Sequence, residues 1–238
     1  MNARDRAMHP VRVLFALAAV ILAGCETTSY QTLAQLPPEP EKRRIVLLPA
    51  DVELSILHAG GGREVNAEWT RLARRHLAAD LEARFRGIGA KLVERKASAE
   101  DFGDDPKEIQ LLKLHEAVGI SILLHQGNSS WQLPTKAGTF DWSLGPEARH
   151  LKTKYGADYA LFIFIRDSYA SSGRIAAMIL TAPFGGVSGG RQRGFSSLID
   201  IETGDVVWFN HLVRTRGDLR TPEGAAETID MLLASFPK

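Results

Sequence analysis

The nine residues 157–165 constrain the fold most. They read Ala-Asp-Tyr-Ala-Leu-Phe-Ile-Phe-Ile, so β-branched and aromatic side chains stand at both odd and even positions. A strand with one face in water would alternate apolar and polar residues, and this run does not. The pattern therefore predicts a central strand that is buried on both faces. Together with the helices and strands that alternate along the rest of the chain, this strand predicts an α/β (α+β) fold with a single mixed sheet and helices packed on its faces.

Strand and helix signals alternate along the rest of the chain. A strand over 45–57 contains Pro49, which lacks an amide proton and predicts a bulge or an edge position. Residues 175–180 predict a further strand, and Gly204 marks the turn of a late hairpin. Capping residues and apolar side chains at three- and four-residue steps predict four helices, at 66–88, 106–122, 146–155 and 221–233.

The first 24 residues have the pattern of a bacterial export signal. Three arginines against one aspartate precede an uncharged apolar run of about a dozen residues, whereas a membrane crossing needs roughly 20. The run ends in Leu22-Ala23-Gly24-Cys25, which resembles the lipobox of bacterial lipoproteins. The resemblance implies cleavage before Cys25, diacylglycerol on its sulfur and a fatty acyl chain such as palmitate on the new N-terminus.

The mature chain divides into a tether and a domain. Residues 25–43 are polar and proline-bearing, which predicts a flexible tether that would reach about 50 Å if extended. Glu26 stands where an inner-membrane retention signal usually has Asp, so the resemblance implies the periplasmic face of the outer membrane. Residues 44–238 predict a single periplasmic domain with an inserted helical and loop segment at about 97–145.

Composition excludes some classes of function. Without residues 1–24 the chain has 26 basic and 27 acidic residues, a net charge of −1. A nucleic-acid-binding protein would need a basic surface, so no nucleic-acid partner is expected. Cys25 is the only cysteine, and if lipid alkylates its thiol, the mature protein can form neither a disulfide nor a metal site containing cysteine.

The order of elements resembles a known group of envelope proteins. The stretches Gly-Ala-Asp-Tyr-Ala-Leu-Phe-Ile and Leu-Ile-Asp-Ile-Glu-Thr-Gly-Asp-Val-Val-Trp fall within the matching regions 45–95, 146–168 and 194–236. The arrangement is similar to periplasmic lipoproteins of the TolB-N-terminal-like group, which includes the curli secretion channel lipoprotein and penicillin-binding-protein activator lipoproteins. The resemblance implies a non-catalytic protein that binds an envelope protein or assembles with itself. Residues 97–145 have no part in it.

Two glycine-rich segments match catalytic or binding patterns only in part. Residues 186–190, Gly-Val-Ser-Gly-Gly, fit the Gly-x-Ser-x-Gly pattern in which Ser188 would be a hydrolase nucleophile, but a strand is predicted after it where a helix is required. Gly60-Gly61-Gly62 before a helix could bind a phosphate, yet the sequence has no lysine of a nucleotide-binding loop there. Ordinary loops are the favoured interpretation of both.

Histidine and aspartate residues form no complete motif. His115-Glu116 begins like a zinc-protease helix, but Gly119 occupies the position of the second ligand. No cofactor or metal is expected. Three groups stay open because the fold could bring their members together: His76 with Asp80, His125 with His150, and Asp101 with Asp104 and Asp105 as oxygen ligands for calcium.

Residues 175–190 form an uncharged segment between Arg174 and Arg191. It is too short and too rich in glycine and proline to cross a membrane as a helix, so it is either a buried strand with a glycine loop or a contact with membrane or another subunit. The leading hypothesis is a non-enzymatic, lipid-anchored envelope protein that supports envelope biogenesis or secretion by binding or assembly. The alternative is an envelope hydrolase using Ser188 or a His/Asp site.

Overall fold

The computed structural model describes residues 25–30, 43–87, 91–93, 104–126, 129–136 and 138–237. Within them, one mixed sheet is covered by helices, which confirms the predicted fold class. The strands are β1 (Cys25–Tyr30), β2 (Arg44–Leu47), β3 (Asp51–Leu57), β4 (Arg63–Val65), β5 (Lys91–Val93), β6 (Tyr159–Ala170), β7 (Gln192–Asp200) and β8 (Val206–Arg214). The α-helices are α1 (Ala67–Gly87), α2 (Pro106–His125), α3 (Arg149–Tyr155), α4 (Ser172–Thr181) and α5 (Pro222–Leu232).

Strand β6 is central, as its sequence predicts. All of residues 159–165 are buried. On one side β6 pairs with β7, and the order continues through β8 to β1, all antiparallel. On its other side β6 pairs in parallel first with β2 and then with β3. Pro49 lies between β2 and β3, so the predicted irregularity is a break that divides one long strand into two.

Two apolar cores lie on the two faces of the sheet. Helices α1 and α5 cover one face, and their buried residues include Leu77, Phe85 and Ile229. Helices α2 and α3 cover the other face. Phe162 of β6 and Phe195 of β7 belong to the core on this side. Helix α2 belongs to the segment 97–145 that the sequence suggests is an insertion, but it supplies core residues to the second face.

Local caps begin and end the helices. The Asn66 side chain accepts a hydrogen bond from the Trp69 amide at 2.9 Å, as predicted for the start of α1. Asp105 caps α2 and Thr221 caps α5 in the same way. Gly156 ends α3 with a φ of 65°, in the left-handed region that favours glycine.

One sequence prediction is wrong, and one further region has structure that its sequence does not predict. Residues 175–180 form no strand: they lie in α4, which Ser171 caps by accepting a hydrogen bond from the Arg174 amide at 3.2 Å. Residues 25–30 belong to the predicted flexible tether, but they form the edge strand β1, in which Cys25 pairs with Arg214. Backbone hydrogen bonds to β8 fix these six residues, whereas 31–42 lie outside the described part of the chain.

Candidate functional site

A cleft opens between α2 and the end of the sheet where β6 ends and β7 begins, here called the distal end. It has a volume of about 710 Å³. Phe164 and Phe195 form part of its floor, and Ile120 and Leu124 of α2 line one wall. Ser188, Gly189, Arg191 and Arg193 contribute to the opposite side. We call it the distal cleft.

Gly119 explains how α2 comes close enough to the sheet to form this cleft. A Cβ at this position would overlap the Phe195 ring, and even the third-nearest ring atom, Cδ2, would lie only 2.7 Å away. One turn earlier, His115 is buried and forms a 2.8 Å hydrogen bond with the Ser197 hydroxyl. Burial lowers the His115 pKa to about 3, so this side chain is neutral near pH 7.

Beyond this contact, α2 presents apolar side chains to water. Ile120 is 42% exposed and Leu124 is 49% exposed, and they are four residues apart on one face of the helix. Val213, across the cleft on β8, is 40% exposed. Apolar side chains exposed together in a concave site are typical of binding surfaces.

A group of four charged residues joins α2 to the sheet beside the cleft. Arg166 on β6 contacts Asp51 at 2.9 Å and Glu116 at 3.4 Å, and Lys113 contacts Asp51 at 3.0 Å. Burial alone would raise the Asp51 pKa, but the Arg166 guanidinium and the Lys113 ammonium outweigh it and hold that pKa below its usual value. Asp51 is therefore ionised near neutral pH, and the group fixes the position of α2.

Three further arginines lie around the cleft. Arg63, Arg191 and Arg193 are exposed. Among the residues that the structure describes, their guanidinium groups have no ion pair or hydrogen bond. Arg193 is the cross-strand neighbour of Arg166, and Glu53 is the neighbour of Arg166 on the other side. The cleft thus combines apolar surface with cationic groups that are available to a ligand.

Helix α4 forms an apolar patch at the same end. Ile179, Leu180 and Phe184 are 70%, 75% and 88% exposed, and Ile175 lies one turn from Ile179. We call these four residues the α4 patch. Buried Arg174 holds the helix in place: its Nε donates to the Ser188 carbonyl at 2.9 Å and its Nη1 to the Ala59 carbonyl at 3.2 Å.

Cys25 also lies at the distal end. Its cross-strand partner is Arg214, which pairs with Gln192, and Gln192 pairs with Asp167. Beyond Asp167, β6 continues only to Ala170 before α4 begins. Cys25, which is predicted to carry lipid, is therefore in one cross-strand row with Asp167. This row lies close to the end of β6 that leads into α4.

A buried polar network supports this row. Arg214 Nε donates to Gln192 at 2.6 Å, and Gln192 donates to the Asp167 carboxylate at 2.9 Å. Tyr169 donates to the same carboxylate at 2.7 Å. Burial raises the Asp167 pKa against the opposing effect of these hydrogen bonds. The network joins β6, β7 and β8 below the cleft.

Neither glycine-rich segment forms the catalytic or phosphate-binding geometry considered from the sequence. Ser188 is exposed between α4 and β7, so the chain there runs from a helix into a strand, whereas a nucleophile elbow runs from a strand into a helix. Gly60, Gly61 and Gly62 form the turn between β3 and β4. Because β4 separates them from α1, they do not precede a helix N-terminus.

The histidine and aspartate groups are also not assembled as sites. His125 donates to the Trp131 carbonyl at 2.7 Å, while His150 contacts the α2 cap Asp105 at 2.7 Å. A helix of 20 residues, about 30 Å long, separates these contacts. His76 contacts the Leu219 carbonyl at 3.5 Å instead of bonding to Asp80.

The calcium hypothesis rests partly on Asp101, which lies outside the described residues. Asp105 is used in capping α2 and in contacts with His150 and Lys154, and Asp104 is exposed. Among the residues that the structure describes, no group of three or more His, Cys, Asp or Glu side chains is placed to hold a metal ion.

Sequence reasoning missed the residues of the distal cleft. The only local signal was the charged pair Arg166-Asp167 directly after the apolar stretch of β6. The exposed arginines and Leu124 come from four separate elements or loops, so their proximity depends on the strand order. In the described ranges, no helix is long and apolar enough to cross a membrane.

No family model and no curated protein matches the sequence significantly. Several solved structures are distantly similar. A PelC dodecamer from Paraburkholderia phytofirmans covers 87% of this chain and 97% of its own, at 15% identity and a TM-score of 0.34. Lipoprotein GNA1162 from Neisseria meningitidis covers 82% and 99%, at 10% identity and a TM-score of 0.31. The LpoB C-terminal domain from Salmonella enterica covers 73% and 83%, at 13% identity and a TM-score of 0.29. Similarity this distant transfers neither a partner nor an assembly to this chain.

Proposed function

We propose that the protein is a non-enzymatic, lipid-anchored module at the periplasmic face of the outer membrane, and that it binds an envelope protein through the distal cleft. In this role it supports envelope biogenesis or secretion. The observation that carries the proposal is the combination of exposed apolar side chains on α2 with three arginines that have no ion pair among the described residues. A protein segment with apolar and acidic side chains fits both features.

Cys25 supplies the anchor in this proposal. The Leu22-Ala23-Gly24-Cys25 sequence motivates acylation, and the pairing of Cys25 with Arg214 would hold the acyl chains next to the domain. A Cys25→Ser protein should stay at precursor size and leave the membrane fraction. If this variant is still processed and still sediments with membranes, Cys25 is not the lipid anchor.

Photo-crosslinking in intact cells tests the binding role. A photoreactive amino acid at Leu124, which lines the cleft, should give a discrete crosslinked product with another protein. The matched control is Leu114, which is 39% exposed on the same helix but does not line the cleft. Arg193→Glu should weaken the Leu124 product because it opposes an acidic partner.

The outcomes are distinguishable. A product containing only two copies of this chain would assign the cleft to self-assembly instead of a separate partner. Equal products at Leu124 and Leu114, or none at either position, would refute a binding role of the cleft.

A further inference from the structure

The α4 patch has no cover in the described part of the chain. Ile179, Leu180 and Phe184 are each at least 70% exposed. Large apolar side chains exposed together on a monomer are typical of an interaction site. Because Arg174 fixes α4 through two backbone carbonyls, the patch is a built surface of the fold.

The position of Cys25 indicates what covers this patch. Three strand spacings separate Cys25 from Asp167 on β6, which is about 14 Å. Residues 168–170 then lead directly from β6 towards α4. If Cys25 carries acyl chains, as the proposed function requires, the bilayer begins at the end of the sheet from which α4 projects.

The charges around the patch favour the same occupant. Residues 168–199 contain no aspartate or glutamate, but they include Arg191 and Arg193, which are both exposed. Interfacial helices insert large apolar side chains below the headgroups while arginines contact anionic lipids. In a two-fold contact between copies through α4, these arginines would approach the same arginines of the other copy, which is unfavourable.

We propose that the α4 patch is a membrane-binding surface that inserts Ile179, Leu180 and Phe184 into the bilayer holding the acylated Cys25, with Arg191 and Arg193 at the level of anionic headgroups. This surface gives the domain a defined orientation on the membrane. The inference uses the proposed lipid anchor and shares Arg191 and Arg193 with the distal cleft, but Ile179, Leu180 and Phe184 do not line that cleft.

Fluorescence depth measurement on the acylated protein tests this surface. Because Cys25 is the only native cysteine, an introduced cysteine would be the only free thiol for labelling with the environment-sensitive fluorophore NBD. Leu180→Cys and Phe184→Cys probe the patch. Thr203→Cys is the control, because it is exposed in the β7–β8 turn, about 27 Å along the strands from Gln192.

Each labelled protein is reconstituted into vesicles of phosphatidylethanolamine and phosphatidylglycerol and recovered by flotation. At positions 180 and 184, we expect the NBD emission to shift to shorter wavelength. We also expect nitroxide-bearing lipids to quench the NBD fluorescence by at least about twofold. At position 203 we expect neither change. Protein that floats but shows no quenching at Leu180 overturns the patch alone, and protein that does not float overturns both anchor and patch. A wavelength shift at 180 without quenching by lipid would assign the patch to a second copy.

Discussion

Replacing Gly119 by alanine should destabilise the protein, although alanine is the better helix former. Alanine gains about 1 kcal/mol of helix propensity over glycine. Against this, the new methyl group would overlap the Phe195 ring, which cannot easily move. The ring is stacked on Phe164 at 4.7 Å and on Phe209 at 5.6 Å between ring centres. Overpacking of a core costs about 1–3 kcal/mol, and the rigid surroundings favour the upper limit. The expected net loss is about 2 kcal/mol, or a fall in Tm of about 4–8 °C.

Urea unfolding followed by the fluorescence of the mature protein measures this loss. Gly173→Ala in α4 is the matched control, because its Cβ would lie 3.7 Å from the nearest atom, an ordinary contact. That variant should be unchanged or more stable by up to about 1 kcal/mol. Adding Phe195→Leu to Gly119→Ala should recover at least about 1 kcal/mol in a double-mutant cycle. If Gly119→Ala is as stable as Gly173→Ala, the packing explanation for the position of α2 is wrong.

Two further predictions concern charged residues. Asp105→Ala should cost about 1 kcal/mol at neutral pH because it removes the α2 cap. Hydrogen bonds from Lys154 and His150 hold the Asp105 pKa below its usual value. The stabilisation is therefore present above about pH 4 and is lost as pH falls further. Urea unfolding of the parent protein and Asp105→Ala at several pH values should show their difference in stability shrinking in acid. Arg214→Ala should cost about 3 kcal/mol, since this buried guanidinium bonds to Gln192 and contacts Glu227 at 3.0 Å; a loss below about 1 kcal/mol in the same assay would contradict an integral role for the network.

The parts of the fold that were predicted correctly depend on local signals. Asn66, Thr221 and Gly156 act on their own backbone or on residues a few positions away, and their roles follow from side-chain chemistry. The burial of β6 on both faces follows from its composition, because no polar residue interrupts 159–165.

Helix α4 was mistaken for a strand because its composition hides its period. Residues 175–180 contain no charged residue, and Ile175, Ile179 and Leu180 are β-branched or large, so this short apolar run fits a strand as well as a helix. The decisive interactions are the Ser171 cap and the contact of Arg174 with Ala59. The second of these joins residues 115 positions apart and has no signature in the local sequence.

The distal cleft could not be predicted for a related reason. Asp51, Lys113 and Arg166 belong to β3, α2 and β6, and they meet only because β3 follows β2 along the same side of β6. In the sequence, Gly119 only replaces the second ligand of a zinc-binding pattern. In the structure, it permits the close packing of α2 against the sheet. This role of Gly119 depends on its contact with Phe195, which is 76 positions away in the chain.

If Cys25 is acylated, as proposed, strand β1 holds the domain close to the membrane. A tether over 25–43 would let the domain stand up to about 50 Å away. Pairing with β8 removes the first six residues of that reach, so acyl chains on Cys25 would begin at the sheet itself. Val213, which lines the distal cleft, precedes the residue paired with Cys25, so the cleft begins about 5 Å from the anchor. In the proposed function, a protein bound there would lie at the bilayer surface, which favours a membrane-attached partner over a freely diffusing one.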